Sequence, residues 1–105
     1  MKVAIDLRKL SAETRKAIAS ETDDKELLKI LSMDEYAEVR AAVVKNRKTP
    51  VETLSNLSRD HSVSVLIEIA KNPRTPKEDV ERLADHPFFH VNKSEEGDVE
   101  VFVLA

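Results

Sequence analysis

Apolar residues along this chain come in short bursts at helical spacing, and the bursts themselves recur. Leu28 and Leu31, Leu54 and Leu57, and Val80 and Leu83 form one series, each pair 26 residues after the last. A second series lies between them. Val39, Ala42 and Val43 make one stripe with Val44 beside it, and Val63, Leu66, Ile67 and Ala70 make another, flanked by Val65 and Ile69. Steps of three and four place such residues on one face of a helix. The polar punctuation keeps the same count, because Asn46, Thr49 and Pro50 return as Asn72, Thr75 and Pro76. A fixed period of this length marks stacked supersecondary units. The pattern therefore predicts a mainly α protein, a short α-helical repeat solenoid of about three two-helix units of 26 residues.

The helices of the first series are expected over 24–33, 50–59 and 76–85, and those of the second over 11–20, 35–46 and 62–72. Ser11 is placed to cap the first of them. Asp23, Thr49 and Thr75 each precede a glutamate by three residues (Glu26, Glu52, Glu78), the spacing of a capping box. Pro50 and Pro76 fit the first helical position, where no amide hydrogen is needed. Asp34 and Asp60 are placed to cap the helices after them, with His86 in the third copy. The segment 62–72 is apolar around most of its circumference, so it is expected to lie deeper than 35–46.

The ends depart from the period. Residues 1–7 alternate through Val3, Ile5 and Leu7 as a short strand or extended lead-in would. Beyond Pro87, a polar loop over 92–98 holds the chain's one glycine, and 99–104 has strong strand propensity. A small C-terminal β-hairpin follows, 88–92 against 99–104, which should lean on the last helices, on the N-terminal strand or on a second copy of the chain, because an isolated hairpin is marginal in water. The expected organisation is a single domain over 1–105, with helical repeats over 11–86 and a hairpin cap over 87–105.

Composition narrows the class. Charged residues reach 35% against 41% hydrophobic, a balance that suits an elongated object with much surface. The formal charge of -3 gives no overall attraction for nucleic acid or an anionic membrane. No cysteine is present, which removes disulfides, thiolate metal sites and thiol nucleophiles. No signal peptide and no membrane-spanning run are read, so a cytoplasmic location is expected.

The series Leu57, Ser58, Asp60, Val65 and then Ala70-Lys71-Asn72-Pro73-Arg74-Thr75-Pro76 resembles the leucine-rich repeat variant family. The copy from Val39-Arg40 through Asn46 to Thr49-Pro50 resembles it as well, and the likeness covers roughly residues 24–91. The resemblance implies a right-handed superhelix of alternating short helices, akin to HEAT-type arrays. Arg47 stands where the turn's first proline would be, and Leu66 where an arginine would be. Some members carry an iron–sulfur domain, which a chain without cysteine cannot ligate in the usual way. No cofactor is expected.

Several residues invite a functional reading beside a structural one. Asn46 and Asn72 suit helix ends, by a left-handed conformation or bonds to the turn backbone. Arg40 could anchor a partner, bond helix-end carbonyls, or pair with Glu35 or Glu38 of its own helix. Lys45, Arg47, Lys48, Lys71, Arg74 and Lys77 would align as a basic ridge, shortened by Glu21, Asp23 and Asp24 in the first copy. His86 and His90 are four apart, but Pro87 lies between them and no third metal ligand stands near. A phosphate-binding glycine loop and a nucleophile–base motif are both missing, so no enzyme activity is expected. The sequence thus points to a module that binds a protein or peptide. Its candidate contact residues are Arg40, Lys45, Arg47, Lys48, Leu66, Lys71 and Arg74. Nucleic-acid binding along the basic edge and homodimerisation through the C-terminal strand stay open beside it.

Overall fold

A computed structural model describes residues 6–93, 95–96 and 99–103. The chain is mainly helical, with six α-helices among the described residues: α1 (Ala12–Glu21), α2 (Lys25–Leu31), α3 (Ala37–Lys45), α4 (Val51–Leu57), α5 (Val63–Lys71) and α6 (Lys77–Arg82). A 3-10 turn, Leu83–Asp85, continues α6, and another spans Leu7–Lys9. Leu7 is therefore in a tight helical turn, where a strand or extended lead-in was expected; Asp6 caps that turn by accepting the Arg8 amide. The rest of that lead-in, together with Gly97 and Leu104, lies outside the described residues. No helix among the described residues is long and apolar enough to cross a membrane.

Helices of the second series pack on one another in order: α1 against α3, and α3 against α5. The molecule measures 53 × 26 × 16 Å. Its core runs along the contact from Ala19 through Val39, Ala42, Val43 and Val44 to Val65 and Ile69, with Leu28, Leu31, Leu54 and Leu57 closing it from the other series. Flanked on both sides, α3 is the sandwiched helix, so the expectation that 62–72 lies deeper is corrected. The apolar pattern misled on α5 because its inner face is Val65, Leu66 and Ile69, while Val63, Ile67 and Ala70 are only half-buried. The second stripe, with Leu66 from the first, faces the core.

Beyond α6, β1 (Phe89–Lys93) runs antiparallel to β2 (Val99–Val103), with Phe89 opposite Val103 and Lys93 opposite Val99. Here β1 meets the 3-10 turn after α6, and β2 meets α5 and α6. Phe89 is buried in this contact, while Phe88 and Phe102 stay exposed.

The turns show why asparagine, threonine and proline recur together. Pro50 and Pro76 have φ near -61° and -55° with extended ψ, so they occupy the N-cap and not the first helical position. That shifts the expected capping boxes. Thr49 and Thr75 sit one residue too early to cap, and their hydroxyls turn back to donate to the carbonyls of Val43 (2.6 Å) and Ile69 (2.8 Å). Each buried threonine so ties the end of one helix to the start of the next. In the first copy Asp24, not Asp23, is the cap, accepting the amides of Glu26 and Leu27.

Candidate interaction surface

Two polar ladders connect successive copies, and they decide which side chains remain for a partner. The asparagines form the first. Asn46 Nδ2 donates to the carbonyls of Ala19 (2.9 Å) and Thr22 (2.8 Å), at the end of the previous second-series helix. Asn72 Nδ2 donates likewise to Val44 (2.8 Å). Their Oδ1 atoms accept the amides of Lys48 (2.7 Å) and Arg74 (2.9 Å), which shapes each turn. Both residues have negative φ, so the left-handed option is corrected and the turn-bonding one describes them. They satisfy orphan carbonyls of the neighbouring copy, a standing need of helix ends.

Arginine and aspartate form the second ladder, one not foreseen from the sequence. Arg15 Nε and Nη2 grip both oxygens of Asp34 (2.7 and 3.3 Å), and Nη1 donates to the Leu10 carbonyl. Arg40 grips Asp60 in the same way (2.8 and 3.0 Å), and its Nη1 donates to the Asp34 carbonyl at 2.7 Å. Asp34 and Asp60 also accept the amides of Tyr36 and Ser62, two residues on, and so shape the approach to α3 and α5. In the third copy both charges vanish together, as Leu66 and His86. The histidine keeps the turn, since its Nδ1 accepts the Phe88 amide, and its ring lies against Phe88 and Phe89. One signal for this ladder was legible: Asp34 and Asp60 are one period apart, Arg15 and Arg40 one residue less, and both residue types are replaced in the third copy.

Burial pushes the Asp34 and Asp60 carboxyls up, but the paired arginines and the Tyr36 and Ser62 amides outweigh it and hold both below the ordinary carboxylate range. Asp79, buried on α6, follows the same balance, with Ser55 and Arg82 as its partners. A depressed native value means stability that is complete above the unfolded carboxyl's pKa of about 3.9 and is lost as pH falls through the native values. The urea midpoint is therefore expected to hold from pH 7 to 5 as far as these groups are concerned. It should drop steeply below about pH 4, and less steeply in Asp60→Asn.

The predicted contact residues separate into two groups. Leu66 is only 3% exposed and belongs to the core, so it is withdrawn from the recognition surface: its side chain packs inward where a repeat arginine would reach out. Arg40 is half-buried and bound to Asp60 and Asp34, not to Glu35 or Glu38, so it is a joint between copies. Arg74 donates to the carbonyls of Arg47 (2.8 Å) and Thr49 (2.7 Å) while its residue stays exposed. Lys45, Arg47, Lys48 and Lys71 are exposed.

Of these exposed residues, Lys45, Arg47, Lys71 and Arg74 meet along an open groove of about 540 Å³, with Val44, Asn46, Asn72 and Pro73 between them. Glu68 joins them and lies 3.9 Å from the Lys45 ammonium. Nothing in the sequence pattern singled out Glu68, because its place in the groove depends on how α5 lies against α3. No group of three or more metal-ligating side chains converges among the described residues. No protein-family model, no curated protein and no solved structure matches this chain.

Proposed function

We propose that the chain is a non-catalytic helical-repeat module, a short solenoid of 26-residue units capped by its C-terminal strands, which holds a protein or peptide partner. Kinship with the leucine-rich repeat variant family is part of this reading and rests on the sequence series around the two asparagine–threonine–proline turns. The observation that carries the function is the groove. Equivalent turns of two successive copies bring Lys45 with Lys71 and Arg47 with Arg74 to one opening, over a framework held by Asn46 and Asn72. Rigid elements presenting corresponding positions side by side are how repeat proteins build binding surfaces.

Affinity capture with the full chain as bait, from lysate with and without nuclease, tests the reading. Specific proteins should be retained in both conditions. Retention of nucleic acid alone, lost on nuclease treatment, would overturn it in favour of binding along the basic edge.

A further inference from the structure

We propose that this groove takes an extended acidic peptide segment with carboxylates three residues apart. The inference rests on the interaction-module reading and names the partner's chemistry. Its first ground is charge. The groove gathers four basic side chains against one carboxylate, a local excess of three positive charges in a chain whose total is -3. Arg74 is engaged with backbone carbonyls, and Lys45 has Glu68 nearby. Arg47 and Lys71 are exposed, and neither side chain makes a hydrogen bond or ion pair among the described residues. These two are the cations offered to a ligand.

The second ground is spacing. Packed helices lie about 8–10 Å apart, so the equivalent Lys45 and Lys71, last residues of α3 and α5, recur at about that distance. A polyproline II segment advances about 3.1 Å per residue and returns to the same face every three residues, so three residues span one step of the groove. Carboxylates at positions i and i+3 of such a segment would each meet one copy's cations. A charge-assisted bond to arginine is the strong form of this contact.

The third ground separates a peptide from a polynucleotide. Glu68 in the groove repels a phosphodiester, yet it accepts a hydrogen bond from a peptide amide. Among the described residues no aromatic ring lines the groove to stack a base. The negative total charge also opposes the approach of a long polyanion, whereas a short acidic segment senses mainly the local cations.

The test is fluorescence polarisation of the full chain with a labelled peptide of four Glu-Thr-Pro triplets, whose prolines keep it extended. Controls are the same peptide with glutamine for glutamate and a labelled oligothymidine. The glutamate peptide should bind at low salt and weaken as salt rises. Arg47→Glu with Lys71→Glu should weaken it at least tenfold without moving the melting temperature, since both side chains are exposed. Equal binding of the glutamine peptide, tighter binding of the oligothymidine, or an unaffected double variant would each overturn the proposal. Light scattering in the same buffer is a further check. Self-association lost in that variant would give the groove to the acidic turn around Glu95 and Glu96 of a second copy, and would overturn it too. Should lysate capture succeed equally with wild type and the double variant, this inference falls while the interaction-module reading stands.

Discussion

Asp60→Ala is expected to cost about 3 kcal/mol of folding stability, the low end of the range for breaking a buried ion pair, because this pair is only partly buried. The reason is what stays behind. Arg40 Nε and Nη2 lose both acceptors in a site where the aspartate side chain is 9% exposed and the arginine 18%, and the Ser62 amide loses its acceptor as well. Attraction between the charges is not the main loss; an uncompensated guanidinium under the surface is. Arg40→Met with Asp60→Leu should therefore recover most of the deficit, because removing both charges removes the desolvation penalty along with the bond. The contrast is Arg8 with Asp6, an exposed pair whose arginine side chain is 91% accessible. Arg8→Ala should change stability by less than about 1 kcal/mol. Urea denaturation followed by circular dichroism at pH 7 measures all of these. A loss under about 1 kcal/mol for Asp60→Ala would show that the ladder behaves as a surface pair.

Leu54→Ala should cost about 2–5 kcal/mol, through lost transfer energy and the cavity left between helices. Leu54 is fully buried, as is its counterpart Leu28 one copy earlier. Val80, the third member, is 8% exposed and smaller, so Val80→Ala should cost less. The physical difference lies in the neighbours. Leu54 belongs to the central core cluster, flanked by copies on both sides, whereas Val80 lies outside that cluster near the end of the helical series. Comparable urea midpoints for the variants at 54 and 80 would contradict this gradient. With total stabilities of small domains near 5–15 kcal/mol, the Leu54 variant should also melt well below the native chain.

Much of the architecture was legible because helices advertise themselves through spacing. Five of the six observed helices fall within the ranges expected from the apolar pairs and the turn residues, trimmed by a few positions at their ends, and α1 runs one residue past its range, to Glu21. What escaped were properties of one copy seen by the next. Arg40 was weighed against Glu35 and Glu38, its neighbours in sequence, yet its acceptor is Asp60, beyond α4. Thr49 looked like a cap because threonine often is one; the extended ψ of Pro50 moved the helix start and freed the hydroxyl to turn back. Leu66 looked like an exposed substitution for arginine, and it is core instead, because a leucine there has no carboxylate to reach. The groove was half visible: its cations follow from the turn repeat, while Glu68 enters only through the packing of α5 on α3. Local chemistry can be read from one segment at a time. Contacts between copies need the distance between helices as well.

The disappearance of Arg40 and Asp60 equivalents from the third copy has a consequence for charge balance along the seam. Every rung requires a guanidinium from one unit and a carboxylate from the loop that follows. Leu66 has no cation to hand forward, and His86 bends its loop with a ring nitrogen while offering nothing for an arginine to grip. Among the described residues the ladder therefore stops without a stranded charge, because Leu66 and His86 stand where both the cation and the carboxylate would be, and β1 begins just beyond them.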